Sequence, residues 1–497
     1  MKKYIFRRLV RSVLSIFLVV TIAIVMVYTL IPRMNVFRND TVYTKLGSKG
    51  DDKARYVNIK LESLGYINFD EQKDMCSIYY TGDEYNACME VNSTQIKEIV
   101  TDYEDKGWEV LQYKSGLYYV QKDVPIYIRV INWFSNLITF DHPWKVTDIE
   151  NENLARKIYV ELDHNNIPSI KCSGCEHKYL LYFNSSFPFI HQNFVKLDLG
   201  YSYPTYSGTD IVNVMGDDQG TIITSEMVFE TGVTAPSAFN LHSCQYKQTS
   251  TLDTLDTNKF YDNYANCKTI KSDFSMINIS MVFGVLALIL SYVIGLPMGM
   301  LMASRKDKFA DKIGTVYVNF MIAVPSLAFI YFARLIGTSV GLADKFPVLG
   351  AHDIRSYILP VIVLGLMSSS GLIIWSRRYM IDQANSDYVK FARAKGLSEK
   401  EIFKKHILKN AIVPIANGLP SAIILTISGA VITETVFAIP GMGKLLPDSI
   451  GAYNNNMIIA LTFIFTSLSI LSVLFGDILI TLIDPRINLA EKKDGSK

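Results

Sequence analysis

FSMINISMVFGVLALILSYVIGLPMGMLMAS, residues Phe274–Ser304, carries no charged side chain from end to end. A helix needs roughly 20 apolar residues to cross the hydrocarbon core of a bilayer, and this stretch exceeds that length. Its backbone amides would find no partner in lipid unless they bonded to each other, so a helix is required and an isolated strand is excluded. Five further charge-free runs meet the same criterion: Ser12–Ile31, Ile313–Ala333, Ser356–Ser376, Asn410–Thr433 and Ser449–Gly476, the last continuing past Asp477 to Ile483. The expectation is a membrane α-helical protein with six transmembrane helices. Lys2, Lys3, Arg7, Arg8 and Arg11 give the first run a signal-like basic start. The run is long for a signal, and Thr29-Leu30-Ile31-Pro32 lacks the small-x-small pattern of a cleavage site, which favours a retained helix.

The chain has 497 residues, 49% hydrophobic and 19% charged, with a net charge of +2 that hides a division. Between Arg33 and Asp273 stand 33 acidic and 23 basic side chains; the remainder holds 14 and 26. Basic residues crowd the N-terminus, the Arg305–Lys312 and Arg377–Lys409 loops and the tail after Asp484. They are sparse between Arg334 and Arg355 and between Glu434 and Tyr453. Lysine and arginine mark the cytoplasmic side, so both termini are expected there. Residues 33–273, between spans one and two, are then extracellular. All six cysteines (Cys76, Cys88, Cys172, Cys175, Cys244 and Cys267) lie in that segment, as an oxidising compartment permits. The reading divides the chain into 1–32 (N-terminus and first span), 33–273 (extracellular) and 274–497 (five spans, with a cytoplasmic loop at 377–410).

The long segment mixes β-rich pieces, Leu117–Val120 and Ile126–Val130, with a candidate helix at Ser93–Lys106 capped by Ser93; an α+β domain is expected. Cys172-Ser-Gly-Cys175 could be half of a zinc site, but only His177 and His191 lie near, so structural disulfides are favoured over metal. Pairing in chain order (76–88, 172–175, 244–267) is expected among the 15 connectivities that six cysteines allow.

Ser386–Asn410 is the most informative loop. Ser386 or Asp387 can cap a short helix through Lys395, and Gly396 supplies the left-handed residue that ends it. Ser398 with Glu401 then forms a capping box for a second helix. Tyr388, Phe391 and Ala392 are expected on one apolar face, and Leu397, Ile402, Phe403 and Ile407 on another. Ala394 and Gly396 make a small tip. A basic loop lying on lipid headgroups would need neither the capped break nor the tip.

Asp387-Tyr388 and Ala392-Arg393-Ala394-Lys395-Gly396-Leu397 resemble the coupling loop of permease subunits of bacterial ABC importers for dipeptides and oligopeptides. Lys390 stands where the general pattern has glutamate, and Leu408-Lys409-Asn410 where many relatives have Leu-Pro. Phe6-Arg7-Arg8-Leu9, Leu197–Ser202, Ala438–Gly443 and Ile483–Ile487 resemble other signatures of the family, Gram-positive members of which carry an enlarged first extracellular loop. The resemblance implies a type I importer permease fold, with the α+β domain inserted between helices 1 and 2. It implies ATPase coupling through Ala392, Ala394, Lys395, Gly396 and Leu397. The implied partners are a second homologous permease, two ATP-binding subunits holding ATP and Mg, an extracellular peptide-binding lipoprotein and a peptide substrate. The setting is the plasma membrane and its lipid; nucleic acid is not expected.

The chain is not read as an enzyme. Gly441-Met-Gly-Lys444 only superficially suggests a phosphate-binding loop, because Ala438 occupies the first glycine position and Leu445 replaces Ser/Thr. No cofactor, metal or catalytic residue is expected. Glu434 and Asp477 sit at the ends of apolar runs, and acids there are functional candidates by default. Glu434 is placed near the outer mouth, where a peptide amine could pass; the plainer reading is a helix-end acid reaching interfacial water. Gly295, Pro297 and Gly299 suggest a bent or closely packed second span, and Arg334 is expected to snorkel outward. A secondary transporter would show matched interrupted repeats, which are not evident. A membrane-anchored receptor would leave five spans unexplained, and no hydrolase spacing stands out in the outer segment.

Overall fold

A computed structural model describes residues 2–47, 50–140, 155–162, 166–183, 188–191, 195–252 and 254–483. The Ile483–Ile487 signature therefore lies largely outside the described residues. Helix α1 (Lys2–Leu30) is followed by a segment of short elements. Its first part holds α2 (Thr41–Leu46), α3 (Gly50–Ser63), α4 (Gln72–Tyr79), α5 (Asp83–Met89), α6 (Thr94–Asp105) and α7 (Ile126–Asn136). These surround an antiparallel sheet in which strand 118–123 lies between 67–71 and 109–112. Ser93 caps α6 as expected, its hydroxyl accepting from the Ile96 amide at 3.4 Å.

Ile126–Val130 corrects the sequence reading: it opens helix α7 instead of forming a strand. Pro125 sits at the N-cap, and Val130, Trp133 and Phe134 share one helical face that packs on Val20 and Ile24 of α1. That 3.6-residue stripe outweighs the β-propensity of the isoleucines and tyrosine.

The second part of the segment is β-rich, with α8 (Ile211–Gly216) and α9 (Thr254–Lys259) among its strands. A four-stranded antiparallel sheet runs 157–162, 168–173, 179–183, 188–190, and a long hairpin pairs 239–246 with 264–269. The cysteines stand as three pairs, Cys76–Cys88, Cys172–Cys175 and Cys244–Cys267. Pairing consumes the thiolates a zinc site would need, and His177 stacks on His191 at 3.5 Å between ring centres.

Beyond the segment come α10 (Met276–Ser304), α11 (Phe309–Ala323), α12 (Ser326–Ser339) and α13 (Arg355–Ala384). Then follow α14 (Asp387–Ala394), α15 (Glu399–Ile402), α16 (Lys409–Leu425), α17 (Val431–Val436), α18 (Met442–Gly451) and α19 (Asn455–Ile483). Among the described residues five helical stretches are long and apolar enough to cross a membrane, or six if the bent pair α11 and α12 makes one span. The expected third span, Ile313–Ala333, is two helices, α11 and α12, bent by 109°. Pro325 supplies no amide for a continuing helix and pushes Val324 out of the helical region. The expected fifth span, Asn410–Thr433, is likewise interrupted: α16 stops at Leu425, and Gly429 turns the chain at φ +74° before α17.

Close packing of α10 is as expected. A Cβ at Gly295 would press on Leu372 of α13, one at Gly299 would collide with Ser376, and one at Gly365 of α13 would press on Leu290. Small residues let the two backbones approach where lipid supplies no hydrophobic drive. Helix α19 packs on both α1 and α16, with Ser421 Oγ donating to the Ser472 carbonyl at 2.8 Å.

Candidate functional site: an exposed elbow and a buried carboxylate

Two places carry the candidate chemistry. The first is the α14–α15 elbow, at the end of the helices remote from the inserted segment. Gly396 has φ +80°, and its amide donates to the Arg393 carbonyl at 2.9 Å while Leu397 N donates to Ala392 at 3.3 Å, the left-handed helix stop of the sequence reading. Ser398 accepts from the Glu401 amide at 3.3 Å and starts α15. Ser386 does not cap with its side chain; its hydroxyl donates back to the Gln383 carbonyl. Across the turn, the Arg393 guanidinium grips both carboxylate oxygens of Glu399 at 2.7 and 3.2 Å.

The buried face of the elbow is Val389 and Ala392 on α14 with Ile402 and Ile407 beyond, packed on Met380 of α13 and Ala411 of α16. Phe391 was expected there but is 70% exposed. Ala394, Lys395 and Gly396 are also exposed, Leu397 is half-buried and Ala392 is buried. The elbow thus presents Phe391 and a small tip outward while Ala392 holds it to the helices. With Lys409 and Asn410 instead of proline, helix continues from α15 through a π-wound turn, Phe403–Leu408, into α16. The elbow is therefore joined to the membrane helices by continuous helix, with Pro414 and Pro420 inside α16.

The second place is Glu434, which is 2% exposed and so does not reach interfacial water. Its carboxylate accepts from Ser280 Oγ of α10 at 2.8 Å, from the Ala430 amide at 3.1 Å and from the Lys444 amide at 3.0 Å. Ser280 Oγ in turn accepts from the Met442 amide at 2.8 Å. A Cβ at Gly429, Gly441 or Gly443 would collide with this carboxylate or the backbone around it. Irregular backbone at membrane depth persists only where its amides find partners, and Glu434 supplies them at both breaks flanking α17. Below it lies a cavity of about 210 Å³ between α10, α13 and α16. Arg334, expected to snorkel outward, donates to the Val436 carbonyl at 3.2 Å and to the exposed side chain of Asp344, in the loop after α12, at 2.9 Å. Asp477 pairs with Arg8 of α1.

The chain resembles proteins of one family throughout. Residues 295–489 match the family described as "Binding-protein-dependent transport system inner membrane component". The oligopeptide transport system permease protein AmiC of Streptococcus pneumoniae is 45% identical over 99% of both chains. The dipeptide transport system permease protein DppB of Lactococcus lactis is 34% identical, over 46% of this chain and 74% of that one. Among solved structures, a chain of an amino acid ABC transporter aligns at 17% identity and a TM-score of 0.31, over 43% of this chain and 92% of that one. This chain belongs to the ABC permease family.

Two features of this permease escaped the sequence. One is the set of donors to Glu434, which come from positions 4, 10 and 154 residues away; only the acid-plus-glycine composition of 429–443 hinted at them. The other is the contact between the inserted segment and α19. Tyr453 Oη accepts from Arg38 at 3.3 Å and Asn454 donates to Ser202 at 2.8 Å. Asn455 donates to Tyr66 at 2.5 Å and Asn456 to the Tyr201 carbonyl at 3.0 Å. These partners stand 252 to 415 residues apart along the chain.

Proposed function

We propose that this permease forms one half of the membrane pathway of an ATP-driven oligopeptide importer. The observation that carries the reading is its full-length likeness to an oligopeptide permease, inserted segment included. In this reading both termini are cytoplasmic, residues 33–273 are extracellular, and a lipoprotein delivers peptide to the outer face beside α8 and α18. A second, homologous permease completes the pathway. Two ATP-binding subunits hold ATP and Mg and seat the elbow in a surface cleft. The exposure of Phe391, Ala394, Lys395 and Gly396 supports that role, because a small tip beside an exposed aromatic fits an inserted anchor. Closure of the ATPase pair then carries the elbow, and the unbroken helix from α15 to α16 passes the motion inward, a two-state rocking biased by nucleotide.

Affinity purification of the chain from gently solubilised membranes tests this. A second permease and ATP-binding subunits should co-purify, and Phe391→Ala combined with Gly396→Val should release the ATPases while leaving the permease in the membrane. A chain that purifies alone, under conditions that keep other membrane complexes whole, refutes the assignment.

A further inference from the structure

We propose that the cavity beneath Glu434 is a subsite for the amino-terminal ammonium of the transported peptide. The inference rests on the oligopeptide reading above and concerns a different question, which part of the peptide the pathway recognises.

Three observations converge. The donors to the Glu434 carboxylate are neutral: the Ser280 hydroxyl and the Ala430 and Lys444 amides, with the Gly443 amide beside them. Among the described residues no lysine, arginine or histidine forms an ion pair with it; Lys444, whose amide it accepts from, directs its side chain to Asp448 at 3.8 Å. Neutral donors hold an anion in place but leave its charge uncompensated, and inside an apolar helix bundle that charge acts over several ångströms.

The space next to that charge suits an amine. The cavity of about 210 Å³ is bounded by Glu434 and by the hydroxyl-bearing residues Ser280, Ser368, Thr426 and Thr433, with apolar side chains such as Phe283 and Leu288 elsewhere. An ammonium is three donors and no acceptor; it needs a negative charge and oxygen lone pairs, which this wall offers together. The apolar remainder accommodates a first side chain without selecting among polar groups.

The position also fits a pathway. From Ser280 to Leu288 along α10 is about 12 Å at ~1.5 Å per residue, so the cavity runs from the end of α10 nearest the inserted segment toward mid-membrane. Helix α17 is held by contacts that a conformational change can release: the Glu434 carboxylate to the Ala430 and Lys444 amides on either side of it, the Arg334 contact to the Val436 carbonyl, and the Phe346 amide to the Phe437 carbonyl at 2.8 Å. An ammonium arriving at Glu434 competes with the Ser280, Ala430 and Lys444 donors and so favours the arrangement in which α17 and α18 part from α10.

The test is uptake by the complete transporter of one peptide in two forms, with a free amine and with an N-acetyl cap, in wild type and in Glu434→Gln. Membrane levels of each protein are measured alongside. A charge-assisted hydrogen bond of this kind is worth about tenfold in affinity. The free-amine preference of the wild type, expressed as the ratio of KM values, should therefore fall about tenfold in Glu434→Gln, while Glu434→Asp keeps most of it. The receptor lipoprotein is the same in every strain, so its own preferences cancel in that comparison. Should Glu434→Gln fail to reach the membrane, Thr433→Val takes its place and should reduce the same ratio by a smaller factor. An unchanged ratio, or equal loss for both peptide forms, overturns the proposal and leaves Glu434 a purely structural tie. If wild type imports neither form, it is the oligopeptide assignment that fails.

Discussion

In the membrane helices, stability is written in small residues: Gly295 and Gly299 of α10 and Gly365 of α13 bring two helices together where any Cβ would press on or collide with the other. The inserted segment uses other means. Three disulfides, a cage of tyrosine hydroxyls around Asp40 and a stack of aromatic rings tie together elements too short to bury a large core. Solvent explains the difference. In lipid no hydrophobic force drives helix on helix, and shape decides; in water a segment of short helices and narrow sheets gains from cross-links that restrict its unfolded state. The relatives echo the division, since the shorter dipeptide permease aligns with only 46% of this chain while the full-length relative spans both parts.

The comparison can be broken from either side. Gly299→Leu should have the largest effect, about 3 kcal/mol or more of overpacking, because Ser376 and the Ile373 carbonyl leave no space at that site. A melting curve in detergent would show it, with thiol accessibility in the inserted segment unchanged at lower temperature. Removing the Cys76–Cys88 pair by double serine substitution should cost about 2 to 3 kcal/mol, confined to the lobe holding α4, α5 and α6. The companion measurement is alkylation with and without reductant: native protein should react at none of its six cysteines, and six reactive thiols would refute this account.

Asn454→Ala sits on the boundary and should sharpen the contrast. Its side chain is fully buried and bonds Ser202, Thr205 and the Met457 amide. A loss of about 1 to 2 kcal/mol should appear as faster hydrogen exchange at residues 201–206, with exchange along α10 and α13 unchanged.

The smallest effect is one of pH. Burial alone would push the Asp40 carboxyl up, but hydrogen bonds from Tyr203 and Tyr56 and from the Tyr43 and Val42 amides outweigh it and hold it below its ordinary range. A carboxyl lowered in the folded state stabilises fully above its unfolded value of about 4, and the contribution fades as pH falls through the folded value. Acidification below about pH 4 should therefore loosen the packing of α2 and α3 on Tyr203, and Asp40→Asn should abolish that dependence; exchange rates at residues 41–63 report it.

How much of this was legible follows the range of the interactions. The apolar runs and the elbow were readable because their signals are local: charge-free length, a left-handed glycine, a serine before Glu401. The breaks at Pro325 and Gly429 were printed in the sequence too, but counting charge-free residues passes over them. Ile126–Val130 misled because its residue types favour strands while its spacing, seen only by extending to Phe134, is helical. What stayed hidden depends on long loops closing. Ser280 finds Glu434 across 154 residues, and Asn455 finds Tyr66 across 389; no window along the chain contains both members of either pair.

The contact between α1 and α19 has a consequence for biosynthesis. Arg8 and Asp477 pair across nearly the whole chain, and Val20 and Ile24 share a cluster with Ile458 and Ile459. During synthesis α1 enters the membrane long before α19 exists, and closing so wide a loop is slow. In the interval the partner within its reach is α7, whose Val130, Trp133 and Phe134 belong to the same cluster. The segment between α1 and α10 thus gives the first helix a packing neighbour that is synthesised long before the last helix.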